Sequence, residues 1–305
     1  MIAILGGLGA AVLWAAANLA SSRSTRIIGA TSTVAWMMVV GLVVATPFAV
    51  ASGPLPTITP TLAVWLTASG VGGVVGLMLV YRGLRIGKVG VVLALASTEG
   101  AIAAVFAVVA GEKLTIPTTV VLGVIAIGVA TVALASGSAA GPADGQGEGQ
   151  VEGEREGTRD GTRPGLGAER RAALFGAAAA IAFGFAIYGT ARAGMSLPIA
   201  VAILPARILG VAFVFVPMAL AGRLRMTRRA VPMVVIVGLG EVLGNASYVV
   251  GARESIAIAS VLASQFAAIA AVAAFLLFRE RLSAGQRSGF VAIAAGVAIL
   301  TIVRG

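Results

Sequence analysis

Leu95-Ala96-Ser97, Ala101-Ile102-Ala103-Ala104-Val105 and Gly111-Glu112-Lys113-Leu114-Thr115 follow one another in the first half of the chain. The second half repeats them as Leu262-Ala263-Ser264, Ala268-Ile269-Ala270-Ala271-Val272 and Arg279-Glu280-Arg281-Leu282-Ser283. Upstream, Gly72, Gly76, Gly83 and Arg85 return as Gly240, Gly244, Gly251 and Arg253 with the same spacing. Downstream, Gly128-Val129-Ala130 returns as Gly296-Val297-Ala298. Alanine-rich helices coincide easily by chance. Fixed glycines with an arginine and a Glu-basic-Leu-hydroxyl box do not. The chain therefore reads as a duplication with a period near 168 residues, the separation of Gly83 from Gly251. That period is too long for a solenoid.

Composition sets the class. The 305 residues are 59% hydrophobic and 11% charged, with a mean hydropathy of +1.02. An ordinary soluble domain carries about 25% charge. The chain is therefore expected to be an all-α integral membrane protein. Its net charge of +10 comes from arginines placed between apolar runs. That pattern suits loops facing anionic lipid and does not suggest nucleic acid. There is no His and no Cys. Disulfides, Cys/His metal sites, thiol nucleophiles and histidine acid–base chemistry are thereby excluded.

Ten apolar runs come close to the ~20 residues that a helix needs to cross the hydrocarbon core. They cover about 2–20, 34–51, 62–81, 89–110, 117–135, 172–190, 199–221, 230–251, 256–278 and 284–303. No basic residue precedes the first, so it lacks the n-region of a signal peptide and is expected to stay in place. Gly53-Pro54-Leu55-Pro56 ends the second. Between the fifth and sixth the composition changes. Residues 136–169 are Gly-rich and hold seven of the 12 acids. Such a stretch cannot bury enough surface to offset its ordering entropy, so it reads as a flexible linker. The expected organisation is a five-helix repeat over 1–136, a linker over 137–170 and a second repeat over 171–305. Five is odd, so the second copy enters the membrane upside down.

Basic residues agree with that inversion. Arg82, Arg85 and Lys88 follow the third run, whereas its repeat partner is followed by Arg253 alone. Only Lys113 follows the fourth, whereas Arg279, Arg281 and Arg287 lie beyond its partner. Arg23, Arg26, Arg170, Arg171, Arg223, Arg225, Arg228 and Arg229 fall on the richer side, which the positive-inside rule assigns to the cytoplasm. Both termini and the linker are then expected on opposite sides, with Gly305 outside and Glu152 inside.

Polar residues inside spans are costly and point to function. Glu99 and Glu241 each sit near mid-span, where a carboxylate must pair, face a cavity or take a proton. The bland alternative is a neutral glutamate bonded to a neighbouring helix. Glu241, Asn245 and Tyr248 form one stripe at i, i+4 and i+7. Gly240, Gly244, Ser247 and Gly251 share another face, where a neighbouring helix can come close. Arg207 follows Pro205 inside a span. It can bind an anionic group, pair with Glu241 or Glu99, or snorkel to an interface. Trp14 and Asn18 share a face of the first run and are cavity candidates. Tyr188 and Arg192 share a face of the sixth, Arg192 being read as a loop anchor. Gln265 is a buried amide that serves either substrate or helix–helix bonding. Glu112 and Glu280 lie at helix ends and read as structural. Thr115, and Ser283 with Gln286, are placed to cap helices. Gly83-Leu84-Arg85-Ile86-Gly87-Lys88 lacks the spacing and following hydroxyl of a phosphate loop. No cofactor or metal site is expected.

Ten helices in two halves, a fourth helix of each half ending in Glu-basic-Leu-Thr/Ser and a fifth carrying Gly-Val resemble the EamA-type members of the drug/metabolite transporter superfamily. The resemblance covers nearly the whole chain outside the linker. Two features depart from it. The proline usual in the fourth helix of each half is replaced by the neighbourhoods of Glu99-Gly100 and Phe266-Ala267. The family is also usually described with both termini in the cytoplasm, opposite to the charge count. The resemblance implies a secondary transporter with alternating access, and a substrate site between helices one, three and four of the first half and six, eight and nine of the second. It implies export of a small metabolite, such as an amino acid or an organic cation, across the cell membrane; a monomer is expected, with a dimer left open. The two glutamates add proton coupling as an expectation, with Glu241 placed first. Two other classes stay open: a scaffold or sensor that does not transport, and an intramembrane enzyme acting on lipid.

Overall fold

The computed structural model describes residues 1–54, 56–86, 89–139, 166–278 and 284–304, and all regular elements among them are helical. In order these are α1 (Ile2–Ile28), α2 (Ala30–Ala51), α3 (Pro60–Ile86), α4 (Val89–Ala96), α5 (Glu99–Val109), α6 (Ile116–Ala139) and α7 (Leu166–Gly194). Then come α8 (Ile199–Gly210), α9 (Val216–Leu220), α10 (Val231–Ala252), α11 (Ile256–Ala263), α12 (Phe266–Phe278) and α13 (Ala284–Arg304). A π-helical turn, Val211–Phe215, joins α8 to α9. Among the described residues, six stretches are long and apolar enough to cross a membrane: Ile2–Ile28, Ala30–Ala51, Pro60–Ile86, Arg170–Gly194, Ile199–Leu220 and Val231–Ala252. Glu99–Val109, Ile116–Thr131, Ile256–Ala270 and Val291–Val303 are apolar but shorter. Outward-facing Phe48, Val50, Ile116, Leu220 and Ile302 give the bundle an apolar exterior, the surface that lipid requires.

The runs expected as a fourth and a ninth continuous helix are each two helices. α4 gives way to α5 at Ser97-Thr98, and α11 to α12 at Ser264-Gln265. Both breaks fall on the repeated Leu-Ala-Ser. At each one a side-chain hydroxyl donates to a backbone carbonyl three residues upstream. Thr98 Oγ1 donates to Leu95 O at 2.7 Å and Ser264 Oγ to Val261 O at 2.9 Å. Such local bonds compete with the helical ladder.

Other boundaries also differ from expectation. Arg23 and Arg26 lie inside α1, not after it, and Gly29 alone, at φ 83°, separates α1 from α2. Only glycine takes that conformation freely. α6 continues to Ala139 and α7 starts at Leu166, so both ends of the expected linker are helical. Ala168, Glu169, Arg170 and Arg171 are good helix formers, which offsets their polarity. The body of the linker with Glu152, Lys88, the box Arg279-Glu280-Arg281-Leu282-Ser283 with its cap, and Gly305 lie outside the described residues.

The repeated glycines have one task in both halves. α3 packs along α7, and α10 packs along α1. A Cβ on Gly72 would stand 2.7 Å from Ala182 O, and one on Gly251 would stand 3.0 Å from Gly6 Cα. Backbones this close associate through van der Waals contact where no hydrophobic drive exists between helices. The small face expected on the Glu241 helix therefore meets α1, and Ser247 Oγ donates to Gly6 O at 2.9 Å across the same seam. α6 pairs with α13, α5 with α11, and α2 with α8.

Glu112 also acts between halves. It accepts from Ser255 Oγ, from Ile256 N at 3.2 Å and from Ala257 N at 3.3 Å. Those two amides open α11, so a carboxylate from the first half caps a helix of the second. Thr115 Oγ1 accepts from Thr118 N at 3.4 Å, the cap expected for α6.

Candidate functional site

α8 and α10 bring Arg207 and Glu241 together. Arg207 Nη2 donates to Glu241 Oε2 at 3.2 Å, with side chains 4% and 27% exposed. Of the possibilities left by the sequence, pairing with Glu241 is the one observed, and Arg207 does not snorkel. It enters the interior over Gly41 of α2, where a Cβ would stand 2.9 Å from Arg207 Cδ. Arg207 Nη1 lies 3.6 Å from the Met38 sulfur, and Nε has no partner. Met38 and Gly41 were not anticipated. The only available signal was Gly41 itself, a glycine in an apolar run.

Glu99 opens α5 directly after the first helix break and is half-buried. Its carboxylate has no hydrogen bond or ion pair among the described residues, and it is close enough to interact electrostatically with Glu241. One carboxylate in this region is thus occupied by a guanidinium and the other is not.

Trp14, Tyr248 and Gln265 lie beside the second break. The Trp14 ring is 6.3 Å from Tyr248 and 6.1 Å, edge to face, from Phe266, the neighbour of Gln265. Trp14 Nε1 and Gln265 Nε2 are buried without partners. Trp14 is pressed onto α10, where a Cβ on Gly244 would stand 2.5 Å from Nε1.

The remaining candidates are engaged locally. Asn18 Nδ2 donates to Trp14 O at 2.9 Å, and Asn245 Nδ2 donates to Glu241 O at 2.7 Å, each within its own helix. Tyr248, fully buried, donates to Ile187 O at 3.2 Å and lies 2.9 Å from Ser260 Oγ, tying α10 to α7 and α11. The i, i+4, i+7 stripe is therefore present, but only Glu241 of its three members bonds to a side chain of the predicted cluster.

These features define a multi-pass helical membrane protein with an ion pair buried inside the bundle. Residues 1–134 match the model of the EamA-like transporter family, a family of the drug/metabolite transporter superfamily. No curated protein matches. A solved structure, titled only as the crystal structure of a protein, superposes with a TM-score of 0.68 at 19% identity, over 99% of this chain and 96% of that one. That likeness bears on the fold alone.

Proposed function

We propose that the chain is a secondary transporter of the plasma membrane, built from two inverted five-helix halves over 1–136 and 171–305, with ten spans. The relation of two equivalent halves is supported by an exchange of partners, and the odd number of spans in each half makes the second inverted. α1 packs on α10 as α7 packs on α3, α1 packs on α11 as α7 packs on α4, and the α6–α13 and α2–α8 pairs map onto themselves. Paired half-helices count as single broken spans, the form that transporters use where substrate and ions bind near the bilayer midplane.

The observation that carries the proposal is the Arg207–Glu241 pair with Glu99, which has no partner among the described residues, at a helix break. An ion pair in the interior is stable only while both members stay together. A substrate charge can take the place of one member and so tie its own binding to a rearrangement of α8 against α10. Glu99 can gain or lose a proton without breaking an ion pair. The proton-coupling role expected first for Glu241 therefore moves to Glu99. Trp14 and Gln265 offer unpartnered donors, while Asn18, Asn245 and Tyr248 hold helices in place. The substrate is a small charged metabolite, such as an amino acid or an organic cation, moved outward by a monomer.

The test is flux in proteoliposomes with and without an imposed pH gradient, screened over amino acids and organic cations. Glu99→Gln should keep transport down a substrate gradient and lose its response to the pH gradient. Glu241→Gln should lower flux under both conditions. Wild-type behaviour in both variants would make these glutamates structural.

A further inference from the structure

A cavity of about 260 Å³ lies away from the Arg207–Glu241 pair. It opens at the end of the bundle where α5 stops, α7 stops and α11 starts. Its wall includes Ala107, Gly111 and Glu112 from the first half and Tyr188, Arg192 and Glu254 from the second. With a water occupying about 30 Å³ of liquid, it has room for roughly eight waters or one small organic molecule.

Its two carboxylates make the cavity look acidic, but both are already satisfied. Glu112 accepts from Ser255 Oγ and from the first amides of α11. Glu254 Oε2 accepts from Ala3 N at 2.8 Å and Oε1 from the Met1 amino group at 3.0 Å. Helix N-termini carry partial positive charge, so each acid is stabilised where it stands. Carbonyls at the end of α7 and just beyond it are occupied as well. Arg253 Nε donates to Gly194 O at 2.9 Å and Nη2 to Leu197 O at 3.1 Å.

Arg192 is the exception. It is half-buried, stands 5.7 Å above the Trp65 ring and has no carboxylate partner among the described residues. The cation–π contact leaves its forked donors free. Beside it, Tyr188 stacks edge to face on Trp65 at 5.4 Å and lies 6.0 Å from Phe106. Of the three charged side chains in the wall, Arg192 alone has neither a hydrogen bond nor an ion pair among the described residues, and the neighbouring surface is aromatic and aliphatic.

We infer that this cavity is a binding site for a small organic carboxylate with an apolar body, its carboxylate held by the Arg192 guanidinium and its body against Tyr188, Ala107 and Ile256. A guanidinium grips a carboxylate with two parallel bonds, which a neutral amide cannot reproduce. The site is distinct from the Arg207–Glu241 cluster and does not depend on that cluster's role.

The test is calorimetric titration of the purified full chain in nanodiscs with three probes of one shape: 3-phenylpropionate, 3-phenylpropionamide and 3-phenylpropylamine. The carboxylate should bind at one saturable site, about tenfold or more tighter than the amide or the amine. Arg192→Gln should remove that preference, and Arg192→Lys should retain part of it, because lysine keeps the charge and loses the fork. Equal affinity for carboxylate and amide overturns the inference, as do tighter binding of the amine and absence of binding by any probe. Unchanged affinity in the Arg192 variants overturns it too. If Arg192→Gln does not fold, the Arg192→Lys variant and the wild-type probe series decide. Flux plays no part in the readout, so a failure to transport leaves this result standing on its own.

Discussion

Replacing Glu241 with methionine leaves the Arg207 guanidinium, 4% exposed, without the carboxylate now at 3.2 Å. A guanidinium stays charged inside proteins, so no protonation change relieves it. Its other contacts offer little reserve, since Nε is unpartnered and Nη1 has only a thioether sulfur at 3.6 Å. The loss should therefore reach the upper part of the range for breaking a buried pair, about 4–5 kcal/mol. Arg207→Met is milder. A carboxyl left without a partner can be neutralised by a proton, which a guanidinium cannot, and about 2–3 kcal/mol is expected. The double variant with methionine at both positions removes both charges and should stay within about 1–2 kcal/mol of wild type. The assay is reversible unfolding of the purified chain in mixed micelles with rising SDS fraction, followed by circular dichroism and read as a double-mutant cycle. A double variant as unstable as the two single losses added together would mean that the pair is not coupled.

Glu112→Ala uncaps α11 and should lower stability in the same assay by about 2 kcal/mol, with Glu112→Gln losing roughly half as much because one acceptor oxygen remains. An equal, negligible effect of both would show that water replaces the carboxylate. Gly72→Ala should cost about 1–3 kcal/mol because its Cβ would meet α7 backbone. Gly73→Ala, one residue on with nothing within 4 Å, should be neutral or slightly stabilising, and similar losses at both positions would contradict the α3–α7 seam. The Glu254 carboxyl is held below its ordinary value of 4.5 by bonds from the Met1 amino group and Ala3 N. Its contribution is complete above that value and is lost as pH falls through the lower, folded-state value. Melting temperatures on either side of pH 4.5 should thus fall more steeply with acid for wild type than for Glu254→Gln, and parallel curves would refute the linkage.

The repeated glycines were legible because a helix face without side chains is a compositional fact, and its reason, contact with the first helix of the other half, needed only the structure to name. The breaks were not. Neither Leu95-Ala96-Ser97-Thr98 nor Leu262-Ala263-Ser264-Gln265 contains proline or glycine, and the polar Ser97-Thr98-Glu99 and Ser264-Gln265 interrupt their apolar runs too briefly to read as helix ends. Arg207 was visible as a buried cation, but choosing between Glu99 and Glu241 requires knowing how α8 lies on α10. Helical spacing placed Asn245 and Tyr248 on the stripe of Glu241. It cannot show that a short amide turns back to its own carbonyl four residues away, or that a phenol reaches a neighbouring helix. Ser255 ahead of an apolar run was a readable start signal for α11. That its carboxylate partner would come from Glu112, 143 residues earlier, was not.

The origin of that partner bears on how the chain is made. Glu112 leaves the ribosome long before Ser255, so the carboxylate is already in place when the start of α11 emerges. A second half synthesised alone would present that helix with uncapped amides. During biogenesis the first half is thus expected to act as a template against which α11 finds its register. A chain split within 140–165 and expressed as two pieces should regain its native fold when both pieces are present together, whereas the later piece by itself is left to quality control.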